Sequence, residues 1–364
     1  ADKIYNEKIN LYEIGSNNPE NLFDDMEDWI EDRGNNPIDE FGLMGPHKRI
    51  NECYGSLLRP GNITVVVARA GVGKTQFCMD FCTKVSAINN NVPILHFDNG
   101  EMSKEELIVR QCSALSGVPM HLLETGRWRQ AGQEVIDKVR DTWKKVKDFK
   151  FFYYNVAGHS IESMINIIRR FYFSEVGRGN KMIFSFDYIK TSYEKQNGLS
   201  SWETVGRMVD KFKQLIQKEL CFSEGPTVSM LTSVQSNRLG ITNNRSSDNI
   251  VDDESVVSLS DQITQFCSHL FLLRKKTMDE IQSEPEDFGT HKLISLKYRW
   301  LGRDVHRALQ PVEMPDGTKR NNYVNLHMEN FGIEEKGDLQ DLVDNLNSEG
   351  VGAVEDFLDE LPNI

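Results

Sequence analysis

The tightest constraint on this chain is a strand that runs directly into a glycine-rich, lysine-bearing turn. Ile63-Thr64-Val65-Val66-Val67 is a β-branched run that reads as a buried strand, and Ala68-Arg69-Ala70-Gly71-Val72-Gly73-Lys74-Thr75 follows it at once. A helix is expected from Thr75 to Asn89. A chain that breaks from strand to helix through glycines can turn its backbone N–H groups inward around phosphate oxygens. The helix N-terminus adds positive potential there. Lys74 offers a point charge for β- and γ-phosphates and Thr75 a hydroxyl for Mg²⁺, so Ala70, Gly71, Val72, Gly73, Lys74, Thr75 and Gln76 form the candidate phosphate loop. The loop opens on Ala68, where the strict consensus has glycine.

The remaining pattern alternates strands and helices. Strands are expected at Ile94–Phe97, Phe151–Tyr154, Met182–Phe186, Thr227–Thr232, His269–Leu273 and Leu293–Lys297, and helices at Ser103–Ser116, Ser160–Glu175 and Trp202–Glu219. Such βα units predict an α/β fold with a mostly parallel sheet and helices on both faces. Met182-Ile183-Phe184-Ser185-Phe186 ends in Asp187, which places a carboxylate at the sheet edge that carries the phosphate loop, in position to hold Mg²⁺. Glu101 and Asp98 both follow the strand Ile94–Phe97, and either could polarise a water that attacks a γ-phosphate or serve as an N-cap or surface acid. Lys297 and Arg299 stand two apart on a strand and so share a face, which suits a grip on a γ-phosphate or an ordinary solvated strand. Gln235 lies at the end of the strand Thr227–Thr232, beside the same edge or in a plain turn.

Charge divides the chain. Residues 1–40 hold twelve acidic against three basic residues and residues 332–364 ten against one, so each end is −9, and the body between them is +5 of the total −13. A mildly basic body suits an anionic ligand, nucleotide or polynucleotide. Residues 18–34 read as an acidic helix capped by Asn18 and closed by Gly34, with Leu22, Phe23, Met26, Trp29 and Ile30 as an apolar stripe that must pack on the body or on a neighbouring subunit. These features predict an acidic N-terminal segment over 1–40, a catalytic domain over 41–331 and an acidic, mobile tail over 332–364. No apolar run is long enough to cross a membrane and Ala1 to Asn6 hold no apolar signal core, so a cytoplasmic location is expected. The six cysteines show no Cys-x-x-Cys spacing, which argues against zinc and disulfides; Cys78, Cys82 and His96 read as core.

From Gly100-Glu101-Met102-Ser103 onward the sequence resembles the hexameric replicative helicases of the DnaB family and the helicase half of phage primase–helicases. The resemblance runs in order through Leu58-Arg59-Pro60-Gly61, the phosphate loop, Glu101-Met102, Thr125-Gly126, Asp187-Tyr188-Ile189, Ser233-Val234-Gln235-Ser236-Asn237-Arg238 and Leu296-Lys297-Tyr298-Arg299-Trp300-Leu301-Gly302-Arg303, about residues 40–330 in all. Ser258-Leu259-Ser260-Asp261-Gln262 fits the family pattern loosely, and Gly100 stands where an apolar residue is usual. The resemblance implies a RecA-like fold and a homo-hexameric ring that uses ATP and Mg²⁺ to move 5′→3′ on single-stranded DNA and unwind a forked duplex. It implies Glu101 as the residue that activates water, Gln235 as γ-phosphate sensor, and Lys297 and Arg299 as groups reaching the neighbouring subunit's nucleotide. DNA is expected on Lys190, Lys195, Arg238, Asn244 and Arg245, and a polymerase or primase on the acidic tail with Phe357, Leu358 and Leu361. Nothing in the sequence corresponds to the large N-terminal domain of the bacterial members or to the phage primase. The same core motifs would serve a RecA-like recombinase filament on single-stranded DNA, or an ATP-binding regulator without DNA-stimulated turnover.

Overall fold

The computed structural model describes residues 21, 23–190, 201–236, 261–300, 302, 311–315, 317–345 and 347. The chain divides into two units, residues 1–41 and 42–364. In the first, α1 (Met26–Asn35) is a short helix with no buried residue, closed where the Asn36 side chain donates to Asp32 Oδ1 at 3.0 Å. It starts later than the sequence suggests, and Gly34 lies inside it; Asn18 and Leu22 fall outside the described residues. Phe23, Met26, Trp29 and Ile30 are all exposed, between 55% and 67%.

The second unit is built on a nine-stranded sheet. In chain order its strands are β1 (Ile63–Ala68), β2 (Ile94–Asp98), β3 (Phe151–Asn155), β4 (Met182–Ile189), β7 (Val228–Gln235), β8 (His269–Lys275), β9 (His291–Tyr298), β12 (Tyr323–Glu329) and β13 (Gly332–Asp338). Two small hairpins supply β5 (Cys221–Phe222) with β6 (Gly225–Pro226), and β10 (Val312–Glu313) with β11 (Lys319–Arg320). The spatial order is β13-β12-β9-β8-β1-β7-β4-β2-β3. From β3 to β8 every pairing is parallel; β9, β12 and β13 extend the sheet antiparallel. Around it pack α2 (Lys48–Tyr54), α3 (Lys74–Ile88), α4 (Lys104–Ser116), α5 (Met120–Glu124), α6 (Gln133–Val146), α7 (Ile161–Phe171), α8 (Ser201–Gln214), α9 (Asp261–Phe266) and α10 (Met278–Ser283).

Strand periodicity explains the two-sided core. Ile63, Val65 and Val67 enter one apolar cluster with Phe184, Phe212 and Ile168, whereas Val66 and Ala68 enter the other with Phe77, Phe81 and Tyr54. All six β1 residues are buried, as expected for a parallel strand covered on both faces. The expected strands and helices all occur, with ends displaced by a few residues. Both long helices close in a π-turn, Tyr172–Val176 after α7 and Leu215–Glu219 after α8, and Arg169 joins them by a two-pronged ion pair to Glu219 at 2.7 and 2.9 Å.

The expected mobile tail over 332–364 needs correction. Residues 332–338 are the edge strand β13 and residues 339–345 are helical. Their acids are partners, not solvated charge: Arg49 Nε donates to the buried Asp338 at 3.0 Å, and Glu335 accepts the Arg49 and Ile50 N–H groups at the start of α2. Phe357, Leu358 and Leu361 lie outside the described residues.

Four buried histidines make stability depend on pH. Burial, the leading cause in each, lowers His47, His96 and His291 to about 4 and His269 to about 3. The unfolded chain takes up protons below about pH 6.5 while the folded chain refuses them, so stability is complete above that pH and drains as it falls toward about 4. Asp80 and Glu335, raised by burial, oppose this in the acid range. His47 stacks on Phe81 at 5.9 Å with its Nε2 unpaired, so His47→Phe keeps the stack and removes the titration. Thermal unfolding between pH 7 and 5 should show the wild-type slope reduced by about 1 kcal/mol per pH unit in that variant; an unchanged slope would contradict this.

Candidate functional site

The strand order brings the C-terminal ends of β2, β4, β7 and β1 side by side at one edge, and there the residues gather. Register places Asp98 beside Asp187, and Gln235 beside Ala68. At the end of β1 the chain turns through Gly73, whose φ of +111° is a left-handed conformation that a side chain rarely adopts. Lys74 opens α3, is only 9% exposed, and sits 5.1 Å above the ring of Tyr188. The N–H groups at this helix start and the lysine charge both face incoming anions.

Asp187 is fully buried and joins three elements. The Thr75 hydroxyl donates to its Oδ2, and Ser233 Oγ on β7 donates to Oδ1 at 2.7 Å. A hydroxyl and a carboxylate in contact beside such a loop are hard-oxygen donors of the kind that could hold Mg²⁺. Among the described residues no cluster of three or more acids, histidines or cysteines could hold a metal by itself. Ser233 carried no assigned role in the sequence; only its place one strand over from Asp187 reveals one.

The two candidate acids after β2 separate clearly. Asp98 is buried, and its Oδ1 accepts the N–H groups of Gly100, Glu101 and Met102 at 2.7, 3.0 and 3.5 Å. Burial pushes its carboxyl above the usual range, against those hydrogen bonds. Glu101 is exposed and lines a cavity of about 690 Å³ together with Gly71, Lys74, Thr75 and Gln235. A cavity of that size is adequate for a nucleotide-scale ligand. Glu101 also raises the neighbouring Tyr188 hydroxyl, burial being the larger cause.

Other lining residues had no sequence signal. Lys275 arrives from the end of β8, His291, Met328 and Phe331 from the antiparallel extension, and Arg110 from α4, its guanidinium 5.0 Å from the Phe331 ring. Lys190, expected on DNA, lies at this cavity, 5.4 Å from the Tyr188 ring. Lys195, Arg238, Asn244 and Arg245 lie outside the described residues.

Lys297 and Arg299 are not at the cavity. Strand β9 starts there with His291 and runs away from it; Lys297 is six residues on, or about 20 Å. At the far edge Lys297 donates to the Thr264 carbonyl and Arg299 to the Gln265 carbonyl at 3.3 Å, so both point the same way. Lys213 lies near, lowered to about 8 by burial and then by Arg299.

Comparison with known proteins places this arrangement. The family described as DnaB-like helicase C terminal domain matches residues 43–259, more than half of the chain. The replicative DNA helicase DnaB of Buchnera aphidicola subsp. Baizongia pistaciae is 34% identical over 119 residues, 31% of this chain and 24% of that protein. The replicative DNA helicase DnaB of Helicobacter pylori is 32% identical over 111 residues, 30% of this chain and 22% of that protein. The matched region thus spans about a quarter of these curated relatives. Among solved structures, a DnaB-like replicative helicase studied with its interactions with primase superimposes with a TM-score of 0.65 at 16% identity, covering 91% of this chain and 71% of its own. A second solved structure, described as an ATPase domain, gives 0.63 at 16% identity, covering 86% of this chain and 99% of its own. At that identity the structural matches show the fold. The sequence relatives are replicative helicases, which does not favour the recombinase reading.

Gly73→Ala tests the loop. The added Cβ is held at a left-handed φ, which costs about 1–2 kcal/mol, and it approaches the Met328 methyl to 2.7 Å. Titration with a fluorescent ATP analogue should show binding weakened at least about tenfold; wild-type affinity would mean that the loop geometry is not what binds.

Proposed function

The chain belongs to the DnaB-like helicase C-terminal domain family, and we propose that it is the ATP-driven motor of a ring-forming replicative DNA helicase, in which ATP sits between neighbouring copies. The observation that carries this reading is the division of the site between two edges of one sheet. Lys74, Thr75, Glu101 and Gln235 line the cavity, with Asp187 bonded to Thr75 behind it, whereas Lys297 and Arg299 stand a strand's length away. A cation pair so placed can reach a γ-phosphate only on another copy of the chain.

Within one copy, the N–H groups around Gly71–Gly73 and the Lys74 ammonium hold the phosphates. Thr75 and Asp187 would hold Mg²⁺, which would supply neutralisation of the phosphate charge. Glu101 accepts the proton of the attacking water. Gln235 sits where β7 ends at the cavity, so a change at the γ-phosphate reaches the segment that follows, with Arg238, Asn244 and Arg245. Those residues, with Lys195, track the phosphates of single-stranded DNA without reading sequence, and Lys190, at the cavity itself, stands where the Lys195 segment begins.

The acidic α1 helix links copies. It carries an exposed apolar stripe, and α4 and α6 of the second unit frame an apolar groove of about 320 Å³ lined by Leu107, Ile108, Cys112, Leu115 and Trp143, with Lys104 at its border. An acidic amphipathic helix from a neighbouring copy complements that groove in both polarity and charge. The acidic residues beyond 347 serve as a docking tail for a polymerase or primase. No helix among the described residues is long and apolar enough to cross a membrane, and we place the protein in the cytoplasm, the host's if phage-encoded.

Strand displacement from a forked duplex with ATP and Mg²⁺ tests the reading. Wild-type chain should unwind and Lys74→Ala should not; binding to single strands without unwinding would overturn the motor assignment. Arg299→Ala should lower ATP turnover by about 10³-fold or more while binding nucleotide normally. Added in excess, it should poison wild-type rings. Loss of nucleotide binding in Arg299→Ala would count against action across subunits.

A further inference from the structure

Glu101 can take a proton from a positioned water only if its backbone is fixed, yet it lies three residues beyond the end of β2, where the sheet ladder no longer holds the chain. A single oxygen takes over that task. Asp98 Oδ1 gathers the successive N–H groups of Gly100, Glu101 and Met102, at 2.7, 3.0 and 3.5 Å. The carboxylate is an expensive choice. Asp98 has no exposed surface, its register partner is another buried acid, Asp187, and its Oδ2 has no hydrogen-bond partner among the described residues. A buried strand end gains nothing from an acid here unless the loop N–H groups require it.

The surrounding chain is shaped to the same end. Gly100 takes φ +76°, and a Cβ there would come within 2.7 Å of the Ala157 Cβ, so the turn that presents three amides to one oxygen needs glycine. Asn99 then ties the segment to the metal-side strand: its N–H donates to the Asp187 carbonyl at 3.1 Å and its Nδ2 to the Tyr188 carbonyl at 3.3 Å.

We infer that Asp98 is the positioning residue of the hydrolytic step: its buried carboxylate locks residues 100–102 so that the Glu101 carboxylate faces the γ-phosphate, in register with Asp187. The inference rests on the assignment of Glu101 above. It differs from a proton-accepting role for Asp98, because one acceptor oxygen is all that the loop uses.

ATPase kinetics of the 364-residue chain separate these cases. Asp98→Ala should lower kcat about tenfold to a hundredfold, the scale expected when a reacting group is misplaced by about an ångström. Its KM for ATP and its nucleotide affinity should stay unchanged. Asp98→Asn, which keeps an acceptor oxygen, should retain most of the activity, and Asp98→Ala with Glu101→Gln should be no slower than Glu101→Gln alone. Wild-type turnover in Asp98→Ala, additive losses in the double variant, or an Asp98→Asn as inactive as Asp98→Ala would each overturn the inference. Amide exchange at residues 100–102, faster in Asp98→Ala and not in Asp98→Asn, reads the hold directly; equal exchange in all three proteins overturns it. A wild-type chain that binds ATP without hydrolysing it would instead overturn the proposed function.

Discussion

The nucleotide end of this molecule depends on one buried carboxylate. Asp187 receives the Thr75 hydroxyl on one oxygen and the Ser233 hydroxyl on the other, and so joins the phosphate loop after β1 to the neighbouring strands β7 and β4. Because Asp187 is shielded from water, both bonds are stronger than their surface equivalents, and losing either partner would leave a buried charge partly uncompensated. The apolar environment reaches behind it. The Cys78 thiol on α3 is pushed well up, by burial first and by Asp187 next. Any cation that arrives between Thr75 and Asp187 therefore meets a rigid, water-poor wall on the protein side.

What was legible in the sequence is what local chain geometry decides. The phosphate loop is written in consecutive residues, since a strand, two glycines and a lysine leave the backbone few options. Asp187 was visible because an apolar strand that ends in an acid advertises its own edge. Spacing does not separate Glu101 from Asp98, because both follow the same run of strand residues; the family resemblance names Glu101, and what the fold adds is that Asp98 is buried while Glu101 lines the cavity.

The rest was hidden because it depends on contacts between distant residues. The role of Ser233 exists only once β7 lies between β1 and β4. Met328 and Phe331 reach the cavity because β12 pairs with β9 and turns into β13, a pairing that no local pattern announces. The acidic count after residue 331 misled for a related reason. Glu335 and Asp338 answer Arg49 and the start of α2, nearly three hundred residues earlier, and charge totals cannot tell a partner from a solvated acid. Strand β9 is the longest-range case: it touches the cavity through His291 at one end and carries Lys297 at the other, so one element runs from the cavity to the opposite edge of the sheet.

The clasp between Arg49 and β13 also bears on where the chain tolerates being cut or lengthened. A version ending before Gly332 would strip β12 of its outer neighbour, take Asp338 from the Arg49 guanidinium, and leave Phe331, which lines the cavity, as a chain end with no β13 behind it. A fluorophore or affinity handle fused past residue 347 would avoid all three losses, whereas one spliced into residues 332–338, acidic but part of β13, would break the pairing of the sheet's outermost strand.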